Sequence, residues 1–330
     1  MLMLLAVGCS KVPAQVVQPA AEESTCAAPT EAQWGGTPLG VADEVSSPRQ
    51  AITLMGGGPE DDRAMAGFLE DAAGGDVLVL RASGSVTSYP DYFGGLDPQP
   101  APRSARVLKI PETALSVEES VRCLLDGAEA LWFAGGDQWN YLGGWPASLR
   151  ELLRLKIGSG VAFGGISAGA AIAGEGAFDA ESGTISSEEA LRDPASARVS
   201  VSLSSLGHPD LDGFLVDSHF SEREREGRLL AFLARYRQIT GDAVAWGLGL
   251  DERTAIRIVD GRFKVFSSGG AVWLYALRGP ARVVEGYPLE ASDILRVRWP
   301  EGTEGPWPPS EGTWTADTLR VISGVVQPAG

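Results

Sequence analysis

The sequence predicts an α/β protein: a three-layer, mostly parallel sheet with helices on both faces and a β-rich extension at the C-terminus. Short runs that are apolar throughout, with no face suited to water, alternate with stretches of helical spacing. Glycine clusters stop several of these runs where a strand would turn into a helix. After about Pro280 the periodicity fades into segments rich in Pro, Trp and Gly.

Taken in order, Ala51-Ile52-Thr53-Leu54-Met55 is an apolar run stopped by Gly56-Gly57-Gly58, and Met65 to Ala73 carries apolar residues at helical spacing. Strand, glycine turn and helix are therefore expected. Val77-Leu78-Val79-Leu80 is a second buried strand, Val117 to Leu125 a second helix, and Ala130-Leu131-Trp132-Phe133 a third strand entering Gly135-Gly136. Leu149 to Lys156 is expected to be helical and Gly160 to Phe163 a fourth strand, after which Ser167 begins a turn into an Ala-rich helix. Further on, Gly213-Phe214-Leu215-Val216 leads as a strand into Asp217-Ser218-His219, and Glu226 to Tyr236 is an amphipathic helix. Ala245 to Lys264 reads as β structure with a turn at Asp260-Gly261. The chain divides into a leader and tether over 1–48, an α/β domain over 49–279 and a β-rich extension over 280–330.

With 330 residues, 44% hydrophobic and 21% charged, the chain is long enough to bury a large core. A formal charge of -16 excludes a nucleic-acid partner, because such a surface repels phosphate. Three cysteines, Cys9, Cys26 and Cys123, are too few and too scattered for a disulfide framework or a zinc site, and two histidines add no metal centre. No cofactor is expected: Gly56-Gly57-Gly58 lacks the spaced third glycine of a dinucleotide fingerprint. The first nine residues, MLMLLAVGC, resemble the end of a bacterial lipoprotein signal, with Cys9 as the site of a lipid anchor. No Lys or Arg precedes them and the run is short for a signal. Residues 10–48 are rich in Pro, Ala, Glu and Ser, which suits a tether, so an exported protein of the cell envelope or the extracellular space is expected.

Gly165-Ile166-Ser167-Ala168-Gly169 has the form G-x-S-x-G between an apolar strand and a small-residue helix. A sharp strand-to-helix turn exposes a serine hydroxyl at the carboxyl edge of a sheet and offers the next backbone N–H to an oxyanion, which makes Ser167 a candidate nucleophile. The same string also suits a glycine-rich helix start with Ser167 as N-cap. Serine needs a base, and only His208 and His219 are available. His208, in Leu206-Gly207-His208-Pro209, has a loop-like setting and reads as a surface histidine. His219 follows the strand Phe214 to Val216 and is expected at the same carboxyl edge as Ser167. Spacing leaves Glu252, Glu189 and Asp217 open as the acid that orients it; Glu252 is favoured because it follows the apolar run Trp246 to Leu250.

Asp217-Ser218-His219-Phe220, followed by Arg223, Arg225, Gly227, Arg228 and Leu229, is similar to the D-x-H-F-x-x-R-x-R-x-x-R-L signature of cyanophycinases. Gly56-Gly57-Gly58, Gly135-Gly136-Asp137-Gln138, Gly165 to Ala170 and Gly249-Leu250-Asp251-Glu252 agree in order, so the resemblance runs from about Ile52 to Ile256. It implies a class I glutamine amidotransferase-like fold, a homodimer and a Ser-His-Glu triad of Ser167, His219 and Glu252 working through an acyl-enzyme without a cofactor. It further implies Gly136 and Ala168 as oxyanion donors and Gln138, Asp217, Arg223, Arg225 and Arg228 in the substrate pocket. Ser218 stands where cyanophycinases typically have Gln, which separates chemistry from specificity at this position. The expected activity is a serine peptidase cutting an amide bond at aspartate, in cyanophycin or β-Asp-Arg peptides. The alternatives are an α-aspartyl dipeptidase or another small-peptide hydrolase, and a non-catalytic binding module on the same fold.

Overall fold

The computed structural model describes residues 26, 33–38, 47–111, 119–204, 206–310, 312 and 314–329. The first half contains β1 (Gln33–Pro38), β2 (Ala51–Met55), α1 (Asp62–Asp71), β3 (Asp76–Arg81), α2 (Ser88–Phe93), β4 (Ser104–Lys109), α3 (Glu119–Asp126), β5 (Ala130–Phe133), α4 (Ala147–Gly158) and β6 (Ala162–Ile166). Next come α5 (Ala168–Ala171), β7 (Gly176–Phe178), α6 (Ser187–Arg192), β8 (Val201–Leu203), β9 (Phe214–Asp217), α7 (Glu226–Thr240) and β10 (Ala245–Leu250). The remainder is β11 (Thr254–Val259), β12 (Arg262–Ser267), β13 (Ala271–Leu277), β14 (Ala281–Arg282), β15 (Glu290–Pro300), β16 (Glu304–Pro306), β17 (Asp317–Ile322) and β18 (Val325–Pro328).

The first sheet runs β1-β4-β3-β5-β6-β2-β11-β12-β16, parallel from β4 to β2 and antiparallel outside that stretch. Its central strands are apolar on both faces because both faces are covered. Ile52, Leu54, Leu78, Phe133 and Phe163 pack towards α3 and α4 and the inner face of a second sheet, while Met55, Val77, Val79 and Trp132 pack against α1 and α2. That second sheet runs β18-β17-β15-β13-β10-β9-β7-β8 and is parallel over β7-β9-β10. Its outer face meets α6 and α7 through Leu215, Tyr275, Leu229 and Leu233. The α/β class and the helices on both faces agree with the sequence. The division into two sheets does not follow from strand periodicity, which specifies faces and not neighbours.

Local signals explain several boundaries. Asp61 caps α1 by accepting the N–H groups of Arg63 and Ala64, and Gly241 ends α7 in the left-handed conformation, donating its N–H to Arg237 O. Asp260 and Gly261 both have positive φ, at the tip of the β11–β12 hairpin, as the two-residue turn between right-twisted strands demands.

Four expectations are corrected. Residues 33–38, assigned to the tether, form β1 and pair antiparallel with β4, satisfying backbone groups that a bare edge would leave unpaired. The lipoprotein-like segment and Cys9 lie outside the described residues. Cys26 and Cys123 form a disulfide with Cα atoms 5.8 Å apart; their separation of 97 residues concealed a contact made by the fold. The Ala-rich helix after Ser167 is a single turn, α5. His208 is buried rather than on the surface: it packs beside Phe163, and its Nδ1 accepts the N–H of Asp210. The strands β14 to β18 are joined to the core rather than appended to it. β15 pairs with β13, and Phe263 stacks on Trp299 at 4.2 Å with Trp307 and Trp314 around them. Among the described residues no helix is long and apolar enough to cross a membrane.

Candidate active site

Three loops leave the carboxyl ends of β6, β9 and β10 and converge on the turn after β2. Three consecutive carbonyls of that turn hold them: Ser167 donates its N–H to Met55 O at 3.0 Å, His219 to Gly56 O at 2.8 Å, and Arg253 to Gly57 O at 2.8 Å. This is the structural content of the glycine cluster. Gly57 has φ +122, and a Cβ there would enter the volume of the His219 ring.

Ser167 sits on a strained turn, φ 54 and ψ −114, between β6 and α5. The two glycines of its motif are demanded by backbone contact, since a Cβ on Gly165 would collide with Gly169 O and one on Gly169 with Phe133 O. His219 (φ 46) and Arg253 (φ 56) are also left-handed, so backbone strain gathers at this edge.

The Ser167 hydroxyl lies 2.8 Å from His219 Nε2, and His219 Nδ1 lies 2.7 Å from Glu252 Oε1. Assigning Nδ1–H as donor to Glu252 leaves Nε2 free to accept from Ser167. Burial pushes the imidazole pKa below its ordinary value, the Glu252 hydrogen bond opposes this, and the positive charges of Arg223 and Arg225 add to the depression. The same hydrogen bond holds the Glu252 carboxyl below its usual range. A neutral imidazole touching a serine hydroxyl has the means to take its proton at neutral pH. Ala168 begins α5, where backbone N–H groups lack intrahelical acceptors, and Gly136 lines the same cleft.

The cleft holds about 240 Å³ and brings together Gly136, Gln138, Ser167, Ala168, Asp217, Ser218, His219, Arg223, Arg225 and Arg228. Asp217 does not reach the imidazole as an acid. Its carboxylate accepts Arg228 Nη2 at 2.6 Å, Arg228 Nε at 2.7 Å, Arg225 Nη1 at 3.3 Å and the N–H of Ser218 at 2.9 Å. Arg228 is thus occupied, with Phe178 and Phe232 against its guanidinium. Arg225 also donates to Ser218 O at 2.6 Å, and its pKa is pushed down to about 10, first by burial. Cations at the start of α7 therefore answer a buried carboxylate of the protein itself. Arg223 is exposed at the rim, and Gln138 donates to Phe178 O.

Glu189 is not brought to the site. It closes a capping box at the start of α6, accepting the N–H of Ser186 and pairing with Arg198 at 2.7 Å, contacts that lower its pKa to about 2. Sequence reasoning missed the wall formed by Phe178, Ala180, Gly183 and Thr184, and Asp137 beside Gln138. The wall runs from the last residue of β7 into an irregular stretch with no periodicity or motif to mark it; Asp137 stands within the motif Gly135-Gly136-Asp137-Gln138, which did not single it out.

No protein-family model matches the chain. Among curated proteins, a cyanophycinase from Geminocystis herdmanii (strain PCC 6308) is 26% identical over 249 residues, covering 68% of this chain and 85% of that protein. Among solved structures, a peptidase from an acI-B1 actinobacterium has a TM-score of 0.53 at 15% identity, over 79% of this chain and 98% of the other, and shares its fold. The chain is thus similar to a cyanophycinase in sequence and to a peptidase in fold, and the two likenesses together support kinship with cyanophycinase-type peptidases.

Proposed function

We propose that the chain is a serine-type peptidase that cleaves an amide bond at an aspartyl residue through an acyl-enzyme. Ser167 attacks the carbonyl, His219 takes its proton and returns it to the leaving amine, and Glu252 orients the imidazole. Gly136 and Ala168 donate N–H groups to the oxyanion. The observation that carries this reading is the unbroken pair of contacts, 2.8 Å and 2.7 Å, from Ser167 through His219 to Glu252. The substrate side rests on charge. Arg223, Arg225 and Arg228 line the cleft against Asp137 and Asp217, so a chain of net charge -16 keeps a locally positive pocket. That suits an acidic residue beside the scissile bond, as in cyanophycin or β-Asp-Arg, the former being the substrate class for which the 26% identical relative is named.

A second reading, an α-aspartyl dipeptidase or other small-peptide hydrolase, is favoured by two features. The cleft is of dipeptide scale, and Ser218, buried beside His219, stands where the family signature has Gln. An exported setting and a homodimer belong to the same proposal; the Cys26–Cys123 disulfide supports the former, since such bonds persist outside reducing compartments.

Hydrolysis of cyanophycin, β-Asp-Arg and Asp-X dipeptides by the wild type and by Ser167→Ala tests the reading. Product from cyanophycin or β-Asp-Arg, lost in Ser167→Ala by roughly 10⁴-fold or more, supports it in full. Cleavage of Asp-X alone selects the second reading. Unchanged activity in Ser167→Ala would overturn the serine mechanism, and absence of any turnover or labelling at Ser167 by a fluorophosphonate would leave a non-catalytic binding module.

A further inference from the structure

The loops that carry His219 and Glu252 exchange hydrogen bonds through side chains outside the triad. The N–H of Ser221 donates to Asp251 Oδ1 at 2.9 Å, and the N–H of Glu252 donates to Glu222 Oε1 at 3.1 Å. Each loop therefore receives a carboxylate oxygen from the other. Asp251 is buried, and its second oxygen accepts the N–H of Ala271 at 2.9 Å and Trp273 Nε1 at 3.2 Å, which fastens this half of the exchange to β13. Glu222 is exposed and reaches across without a scaffold of its own.

We infer that this reciprocal clamp positions the triad, with Glu222 and Asp251 holding the backbone of each loop so that the Glu252 carboxylate stays against His219 Nδ1. The inference rests on the serine-peptidase reading above. Glu252 is partly exposed; the loop is held after it by the Arg253 N–H on Gly57 O, and the bond to Glu222 fixes the N–H of Glu252 itself. A fixed N–H restricts where its side chain can start. Surface charge alone argues against the arrangement, because it brings a second carboxylate to the backbone of the first. The bond from the Glu252 N–H is what rewards the approach.

The test is the rate of Ser167 labelling by a fluorophosphonate probe, measured across pH on the full chain for wild type, Glu222→Ala, Glu222→Gln and Ser167→Ala. Glu222→Ala is expected to lower the plateau about tenfold. It also moves the acid limb to lower pH: His219 loses part of the support of Glu252, while burial and the charges of Arg223 and Arg225 still depress it. Glu222→Gln keeps an acceptor oxygen and is expected to behave as wild type. A Glu222→Ala protein with wild-type plateau and limb, or a Glu222→Gln protein as impaired as Glu222→Ala, overturns the clamp. If Ser167→Ala labels at the wild-type rate, the serine reading falls and the clamp with it. Loss of labelling in Ser167→Ala beside an unaffected Glu222→Ala removes the clamp alone.

Discussion

The two ends of the parallel strands carry the same kinds of residue and make different use of them. At the carboxyl ends of β2, β6, β9 and β10, His219 meets Ser167 and Glu252, and three residues there adopt strained left-handed backbones. At the opposite end of β2 and β9, a cavity of about 360 Å³ is rimmed by Asp210, Asp212 and Asp260 over Phe214 and Trp307. His208 is buried close by, with one ring nitrogen accepting from backbone and the other without a partner among the described residues. Histidine and carboxylates therefore do not make a site by being near one another. What separates the two ends is a chain of directed contacts and the strain accepted to build it.

The largest effect that would sharpen this contrast lies in two glutamates. Glu252→Gln should lower the hydrolytic or labelling rate by about 10³-fold or more, since an amide cannot fix the tautomer of His219 or stabilise its charged form. Glu189→Gln should leave the rate unchanged and only lower the melting temperature slightly, because Glu189 belongs to a helix cap. Steady-state rates beside thermal melts separate the two, and equal losses of rate would dissolve the contrast.

Two glycines give the next comparison. Gly57→Ala places a methyl group in the His219 ring and should cost about 100-fold in rate. Gly261→Ala, in the hairpin at the far end with φ +68 and a Cβ that would meet only Trp307 O at 3.9 Å, should cost about 1 kcal/mol of stability and nothing in rate. Denaturant melts paired with labelling rates distinguish these outcomes.

Smaller still is the charge at the rim. Because the His219 pKa lies below the ordinary value of about 6.5, the active neutral form persists into mildly acid solution and the rate should fall only below that pH. Arg223→Gln removes one depressing charge, so the imidazole protonates at higher pH and the acid limb should move up. A pH profile that does not move, or moves down, refutes this account. At the far end, His208→Phe removes both an acceptor and an unpartnered buried donor, and should change stability by only about 1 kcal/mol with wild-type rate.

Much of this was legible in the chain. Apolar runs marked β2, β3, β5 and β9, and the glycine pattern around Ser167 announced a sharp turn, because only backbone-to-backbone contact requires glycine at both Gly165 and Gly169. The short supply of histidines directed attention to His219. By contrast β4, whose Ser-Ala-Arg-Val-Leu-Lys mixes polar and apolar residues, was not recognised, nor was the strand at 33–38, since an edge strand is specified by the neighbour it pairs with.

The sequence by itself determined the local chemistry: which strands are buried, where the chain must turn, and which serine and histidine are available, since these depend on residues adjacent along the chain. Only the tertiary structure decided which carboxylate reaches the imidazole and which residues line the cleft. Asp217 is two residues from His219 and is consumed by Arg225 and Arg228, whereas Glu252 is 33 residues away and arrives at 2.7 Å because β9 and β10 are parallel neighbours whose carboxyl ends share one edge. Likewise Cys26 meets Cys123 across 97 residues. Contacts of this kind are set by strand order and loop closure, and spacing along the chain carries no record of either.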